Sequence, residues 1–368
     1  MRMRASEIAS ATQGRLLGPD VVVDGVGIDS RELAAGALFV PIVDARDGHD
    51  FIASAVERGA AAVLMSVDQA AEVLDAVPDG VAVIEVDDTS EALADLGRDA
   101  RRRLGAEPGS VGVVGITGSV GKTTTKDLLS AALAGTYPTT ASLRSFNNEL
   151  GVPLTLLNAP EGTRATVVEM GARGRGHIAV LCGVARPSIG VVTTVEMVHT
   201  QLFGELAEVA AAKAELVEHL PVDGVAVLNA DNVYVAAMAH RTHAAVLRFA
   251  TSPDQAGAAD LWSGPIHLDD ELRPRFRLHS PWGEIDVRLA VRGAHNVGNA
   301  LAAAAAALSC GVPLAGVAEG LSRAEMSPWR MELTRAPGGA RVLNDAYNAG
   351  PASMAAALRA LAALGADR

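Results

Sequence analysis

Residues 111–129 read Val-Gly-Val-Val-Gly-Ile-Thr-Gly-Ser-Val-Gly-Lys-Thr-Thr-Thr-Lys-Asp-Leu-Leu, an apolar run that passes through glycines at 115, 118 and 121 into a helical stretch. A strand that turns through such a loop into a helix presents several backbone N–H groups and the positive end of the helix dipole to one anion. The strand is apolar along its whole length, so both of its faces must be covered, which calls for a largely parallel sheet flanked by helices. Lys122 adds a point charge for β and γ phosphates, and the Thr123 hydroxyl is a ligand for Mg²⁺. The candidate nucleotide-binding residues are therefore Gly115, Thr117, Gly118, Ser119, Gly121, Lys122, Thr123 and Thr124. The spacing is not the common GxxxxGK, which would need Gly where Ile116 stands. The bland alternative is a Gly-rich turn with an exposed Lys.

A chain of 368 residues holds two or three domains. Residues 1–106 alternate short apolar runs (37–41, 60–66, 81–86) with helical stretches at 51–58 and 90–104, a small α/β unit. The sequence from Arg101 to Gly109 ends a charged helix with helix breakers, which marks a boundary. Residues 107–323 form the central domain, with buried strands expected at 111–117, 165–170, 188–195 and 224–229, separated by segments long enough for crossover helices. An Ala-rich helix over 296–308 must pack closely on a neighbour. Residues 324–368 supply one strand, 341–344, and one helix, 352–364. One strand and one helix cannot cover a sheet, so the chain is expected to be a fragment whose last domain is cut short and which catalyses little or no reaction on its own, with its ligand sites in the first two domains largely intact.

Composition removes several classes of function. Thirty-one Lys and Arg against 43 Asp and Glu give a net charge of −12, a poor match for a nucleic-acid backbone. No apolar run is long enough to span a bilayer, and the N-terminus lacks the apolar stretch of a signal peptide, so the cytoplasm is the expected compartment. Cys182 and Cys310 stand outside any CxxC or Cys/His pattern and read as buried apolar residues.

Several polar residues stand where chemistry would need them. Glu169 ends the run 165–168, at the carboxyl edge of a parallel strand where open α/β sheets bind ligands. Its oxygens suit Mg²⁺, and a solvated strand-end Glu is the alternative. His199 follows the run 188–195, and a lone His is more often structural. Lys213 lies in the middle of the apolar stripe formed by Leu206, Val209, Ala210, Leu216, Val217 and Leu220. Burial would lower its pKa and leave a neutral amine able to add CO₂, whereas snorkelling would carry the head to water. His295 and Asn296 precede the Ala-rich helix, where Asn296 could be a polar N-cap. Arg330 and Asp345 read by themselves as surface charges. Ser30 and Arg31 form either a capped turn or a grip on a diphosphate. Asn147 and Asn148 line a cleft or orient a ligand.

The segment 117–125, TGSVGKTTT, resembles the nucleotide loop of the Mur ligases and folylpolyglutamate synthetases, ATP-using amide-forming enzymes. Within that group, NNELGVPLTLL at 147–157 is similar to the segment of the Mur ligases that join D-alanyl-D-alanine to UDP-N-acetylmuramoyl-tripeptide (UDP-MurNAc-tripeptide). The similarity continues through Asp29-Ser30-Arg31, Asp47 to Phe51, Glu169 to Ala172, His295 to Ala300 and Asn344 to Ala349. It implies a small N-terminal UDP-sugar domain, a central P-loop ATPase-type domain and the start of a Rossmann-like C-terminal ligase domain. It also implies an acyl phosphate intermediate and two Mg²⁺ ions, one held by Thr123 and the other by Glu169, His199 and a carbamate on Lys213. By the same resemblance Lys122, Glu169, His199, Lys213 and Arg330 are catalytic, with Arg330 at the γ phosphate. Asn296 contacts the adenine, Asp345 binds the ribose, and Ser30 and Arg31 lie at the UDP-sugar. A monomer is expected. The chain departs from many relatives in having Glu205 after Gly204, where they have Ser, and Asn-Ala-Gly-Pro at 348–351, where they have Asn-Ala-Asn-Pro. The alternatives are the Mur ligase that adds the third residue, which shares Asp29-Ser30-Arg31, and a catalytically silent nucleotide-binding scaffold.

Overall fold

The computed structural model describes residues 2–364 apart from 70–73, 75–76, 144–145 and 197–204, so His199 lies outside the described residues. Two compact units emerge. The first comprises Met1–Ser110, Phe146–Thr163 and Gly183–Ala185; the second comprises Val111–Ser145, Arg164–Cys182 and Arg186–Arg368.

The first unit is built on a five-stranded sheet in the order Arg15–Leu17, Ala82–Val86, Ala62–Ser66, Leu38–Phe39, Val26–Gly27. Its strands are parallel except for the first, which runs antiparallel to Ala82–Val86. The runs expected at 60–66 and 81–86 are the two central strands, and their side chains are almost wholly buried. The helix Thr89–Ala106 begins where the Asp88 carboxylate accepts from the N–H groups of Ser90 and Glu91, which satisfies two of the helix's unpaired donors. It buries Leu93, Leu96, Ala100 and Leu104.

In the second unit the expected parallel sheet is present. From Thr139–Ala141 the strands run Ala165–Glu169, Gly112–Thr117, Ile189–Val192, Val225–Asn229, Ala245–Ala250 and Leu261–Ser263, all parallel. Three antiparallel strands, Pro274–Ser280 with His267–Leu268 and Gly283–Arg288, extend it to ten. This extension escapes a search for continuous apolar runs because only one face is covered. Pro274–Ser280 alternates buried and exposed residues, with Phe276 and Leu278 inward and Arg275 and Arg277 outward. Cys182 and Cys310 are buried, and burial pushes both thiols up to about 12, so neither is reactive at neutral pH.

The Ala-rich helix spans Asn296–Ser309, with Ala302 to Ala307 fully buried beneath the sheet and its neighbouring helices. One expectation is corrected. The strand Arg341–Asn344 has a partner, because Glu332–Arg335 folds back on it as an antiparallel hairpin. Glu332–Arg335 has a single apolar residue, Leu333, too short a pattern to read as a strand from the sequence.

The helix Leu314–Arg323 lies against Lys122–Ala134 so closely that a Cβ on Gly320 would strike the backbone of Ala131 and Ala132. Gly316, one turn earlier, has room for one. Alanine raises helix propensity at either position by about 1 kcal/mol, but at Gly320 overpacking adds a cost of about 1–3 kcal/mol. In thermal denaturation Gly316→Ala is expected to raise the Tm and Gly320→Ala to lower it. Equal shifts of the same sign would contradict this packing.

Candidate active site

The loop between strand Gly112–Thr117 and helix Lys122–Ala134 is fixed from outside itself. Ser119 N–H donates to the Thr194 carbonyl (2.8 Å), the Thr193 hydroxyl donates to the Val120 carbonyl (2.6 Å), and Ser119 Oγ exchanges hydrogen bonds with the backbone of Glu196 (2.9 and 3.0 Å). Gly118 and Gly121 have φ of 148° and 90°, which only glycine adopts without strain. Space is the second reason. A Cβ on Gly118 would run into the Thr193 hydroxyl, and one on Gly121 into the Asn299 side chain. The helix opens at Gly121 with no side-chain cap, leaving its first N–H groups available to an anion. Gly115 sits inside the strand, where Leu216 and Met170 fill the space a side chain would need.

Charge collects beside this loop. Lys122 Nζ folds back and donates to the Gly118 carbonyl (2.8 Å). Burial pushes its pKa down; the Glu169 carboxylate opposes the shift and Arg330 adds to it. Thr123 Oγ1 donates to Glu169 Oε2 (2.7 Å) and accepts from Arg330 Nη2 (2.9 Å). Glu169 is 2% exposed, at the carboxyl end of its strand as expected, and its N–H donates to Ser142 Oγ (3.1 Å). Arg330 also stacks over the Tyr347 ring, 4.2 Å from its centre. The residues on either side of Arg330 are strained, Trp329 and Met331 having φ of 61° and 51°. Left-handed backbone costs a non-glycine residue about 1–2 kcal/mol, so the surrounding contacts must hold this turn. Among the described residues, Thr117 Oγ1 and Arg330 Nε are buried without a hydrogen-bond partner. Each such orphan costs about 1–3 kcal/mol, and an anion at the loop would relieve both kinds of deficit.

Lys213 does not snorkel. It is 4% exposed on the helix Leu206–Glu218, and no described residue offers its amine a hydrogen bond. Burial, with Lys122 nearby, pulls its pKa down to about 7. The paired Thr123 hydroxyl and Glu169 carboxylate suit a divalent cation, and the Lys213 amine, its pKa lowered by burial and by Lys122, is a further candidate donor. The first two are hard oxygen donors, and the third becomes one after adding CO₂.

Next to the loop is a cavity of about 250 Å³. Among its lining residues are Gly121, Thr124, Asn296, Arg330 and Asp345, so the structure joins sequence positions more than 200 apart. Asp345 Oδ1 accepts from Met331 N–H (3.1 Å), and burial raises its pKa. Asn296 is the first residue of its helix rather than the N-cap, a position held by His295. Its side chain donates to the Arg292 carbonyl (2.7 Å) and accepts from Asn299 Nδ2 (2.8 Å). Asn299, Glu196 and Tyr347 are site residues that the sequence reading did not single out. Asn299 was accessible, since it lies three residues beyond Asn296 on the same helix face. Glu196 and Tyr347 carry no pattern of their own.

The remaining candidates belong to the first unit. Arg31 is exposed and doubly paired with Asp29 (2.9 and 2.6 Å), which holds that carboxyl down to about 2, while Ser30 is buried. Asn148 Oδ1 accepts from Gly151 N–H (2.9 Å) at the start of helix Gly151–Leu157. Asn147 is half-buried.

The Lys213 amine gives a signed pH dependence. Its pKa falls from 10.5 to about 7 on folding, so between these values the unfolded chain binds more protons and stability rises with pH. The penalty is complete below pH 7 and absent above 10.5. In CO₂-free buffer Lys213→Met is expected to melt at least roughly 5 °C above the parent near pH 6.5, with the gap closing towards pH 10. A gap that does not change with pH would contradict a buried, neutralised amine.

Two family models match the chain: "Mur ligase middle domain" over residues 116–307 and "Mur ligase family, catalytic domain" over residues 22–101. A UDP-N-acetylmuramoyl-tripeptide–D-alanyl-D-alanine ligase of Mycobacterium tuberculosis is 46% identical over 354 residues, which cover 93% of this chain and 68% of that protein. The crystal structure of MurF from Acinetobacter baumannii superposes with a TM-score of 0.86 at 29% identity, covering 98% of this chain and 77% of the other. MurF from Thermotoga maritima, solved in complex with ADP, gives a TM-score of 0.73 at 25% identity, with coverage of 92% and 75%. With this agreement in sequence and in fold, the chain belongs to the Mur ligase family.

Proposed function

We propose that the chain joins D-alanyl-D-alanine to UDP-MurNAc-tripeptide at the expense of ATP, a step of peptidoglycan precursor synthesis. The observation that carries this reading is the Thr123 hydroxyl held between Glu169 and Arg330 beside a glycine loop with an uncapped helix start. The relatives' names supply the two substrates. In this reading residues 1–106 hold the UDP-sugar, residues 107–323 bind ATP, and residues 324–368 bring Arg330 and Asp345 to the nucleotide. The protein acts as a monomer. ATP and UDP-sugars are cytoplasmic metabolites, so we assign the reaction to the cytoplasm; no described helix is long and apolar enough to cross a membrane.

The adenosine occupies the cavity, with Asn296 at the base and Asp345 at the ribose. The loop N–H groups of Gly118 and Gly121 receive the phosphates, along with those of Lys122, Thr123 and Thr124, while Ser119, its N–H held by the Thr194 carbonyl, shapes the loop around them. Lys122 then exchanges the Gly118 carbonyl for phosphate oxygen. Thr117 and Arg330 find in the triphosphate the partner that their buried groups lack. The tripeptide carboxylate attacks the γ phosphorus, the bond to the β-phosphate oxygen breaks, and ADP leaves an acyl phosphate. The dipeptide amine attacks that carbonyl, loses a proton, and releases inorganic phosphate. Chemistry of this kind requires positioning and charge neutralisation above all. Two like charges at 4 Å repel by about 4 kcal/mol at an effective dielectric of 20. Two Mg²⁺ ions would offset that repulsion, one at Thr123 and one at Glu169, His199 and Lys213. For the second, the neutral Lys213 amine bonds CO₂ and loses a proton, giving a carbamate. Ser30 and Arg31 hold the diphosphate of the UDP-sugar, Arg31 trading Asp29 for it. Asn147 and Asn148 orient the peptide.

Phosphate release by the full-length protein tests the reading. Release is expected only when ATP, UDP-MurNAc-tripeptide and D-alanyl-D-alanine are all present. Lys213→Ala is expected to lower it at least 100-fold, with partial recovery in millimolar formate or acetate. Release without the dipeptide would contradict the assignment, and a fully active Lys213→Ala would remove the carbamate.

A further inference from the structure

A buried ion pair outside the nucleotide cavity has no role in the chemistry above. Lys126 and Asp127, on the helix that follows the loop, are paired at 2.8 Å with side chains 5% and 9% exposed. Each reaches a different part of the second unit. Lys126 Nζ donates to the Ser142 carbonyl (2.8 Å), and Ser142 Oγ accepts from Glu169 N–H (3.1 Å). Asp127 accepts twice from Ser327, from its N–H at 2.8 Å and its hydroxyl at 3.2 Å. Ser327 stands three residues before Arg330, whose guanidinium returns to Thr123 and, through it, to Glu169. The contacts close a ring: Glu169, Thr123, Arg330, Ser327, Asp127, Lys126, Ser142, Glu169.

We propose that the Lys126–Asp127 pair is a latch that positions Arg330 over the phosphate loop and keeps Glu169 in register with it. The turn carrying Arg330 is strained on both sides, at Trp329 and Met331, so it does not rest in this shape by local preference. It is pinned before the strain by Ser327 on Asp127, and at the strained residues themselves by Trp329 N–H on Glu332 (2.8 Å) and Met331 N–H on Asp345 (3.1 Å). Asp345 lines the nucleotide cavity, whereas Asp127 does not. Asp127 is thus a positioning residue that acts through Arg330. This inference rests on the ligase reading for the part Arg330 plays, but the anchoring itself does not.

Two measurements on the full-length protein test it. The first is a cycle in the phosphate-release assay. Asp127→Ala leaves Lys126 buried without its counter-charge, so the paired change Lys126→Met with Asp127→Ala, which removes both charges, serves as the second latch-free variant. Both are expected to lower kcat at least 10-fold while changing the KM for ATP less than threefold. Added to Arg330→Ala, the paired change should slow turnover by no more than twofold further, because the latch acts through a side chain already gone. Losses that multiply in full, or an unchanged kcat, would overturn the proposal. The second measurement needs no turnover. Hydrogen exchange at the Ser327 amide is expected to quicken at least 10-fold in either latch-free variant, and unchanged protection would overturn the latch. A parent protein without substrate-dependent phosphate release would count against the ligase reading, with the exchange measurement still deciding the latch.

Discussion

The close approach of Gly118 and Gly121 to Thr193 and Asn299 is the constraint on which the rest of the second unit depends. It seats the loop against the strand end at 192–196 on one side and the Ala-rich helix on the other. Only then do the first N–H groups of Lys122–Ala134 face a common space, and only then does Thr123 meet Glu169 from the neighbouring strand. The parallel register explains why these residues can meet. Glu169 lies opposite Ile116 and Val192 opposite Thr117, so the carboxyl ends of three adjacent strands finish together, where open α/β sheets place their ligands.

Around that anchor the site is organised by unequal burial of charge. Glu169 is buried but has a hydroxyl donor, Lys122 caps loop carbonyls, and Lys213 has neither a counter-charge nor a hydrogen-bond partner among the described residues. Burying an unpaired amine is tolerable only because it can shed its proton near neutral pH. The Lys126–Asp127 pair shows the opposite solution, a nearly buried ion pair whose remaining hydrogen-bonding capacity goes to backbone and side chain at Ser142 and Ser327.

Much of this was legible in the sequence because it is written in period and spacing. The strand–loop–helix at 112–134, the carboxylate at the end of 165–169 and the buried stripe holding Lys213 each follow from local pattern. The antiparallel strands at 274–288 and the hairpin partner at 332–335 did not, since half-covered strands carry charge on every second residue and short ones have too few apolar positions. Glu196 and Tyr347 were unreadable for another reason. Their significance arises from contacts with Ser119 and Arg330, which no local spacing announces. The roles proposed for Arg330 and Asp345 rest on resemblance to the family, because a surface charge and a site charge look alike until the fold brings them to one cavity.

The central claim is that the loop from Gly118 to Thr123 grips a triphosphate. The most direct measurement is a crystal structure with a non-hydrolysable ATP analogue and Mg²⁺. The account predicts the β and γ phosphates within hydrogen-bond distance of the loop N–H groups, with Lys122 Nζ moved from the Gly118 carbonyl onto phosphate oxygen. A loop left empty under saturating analogue, with Lys122 still on that carbonyl, would contradict it.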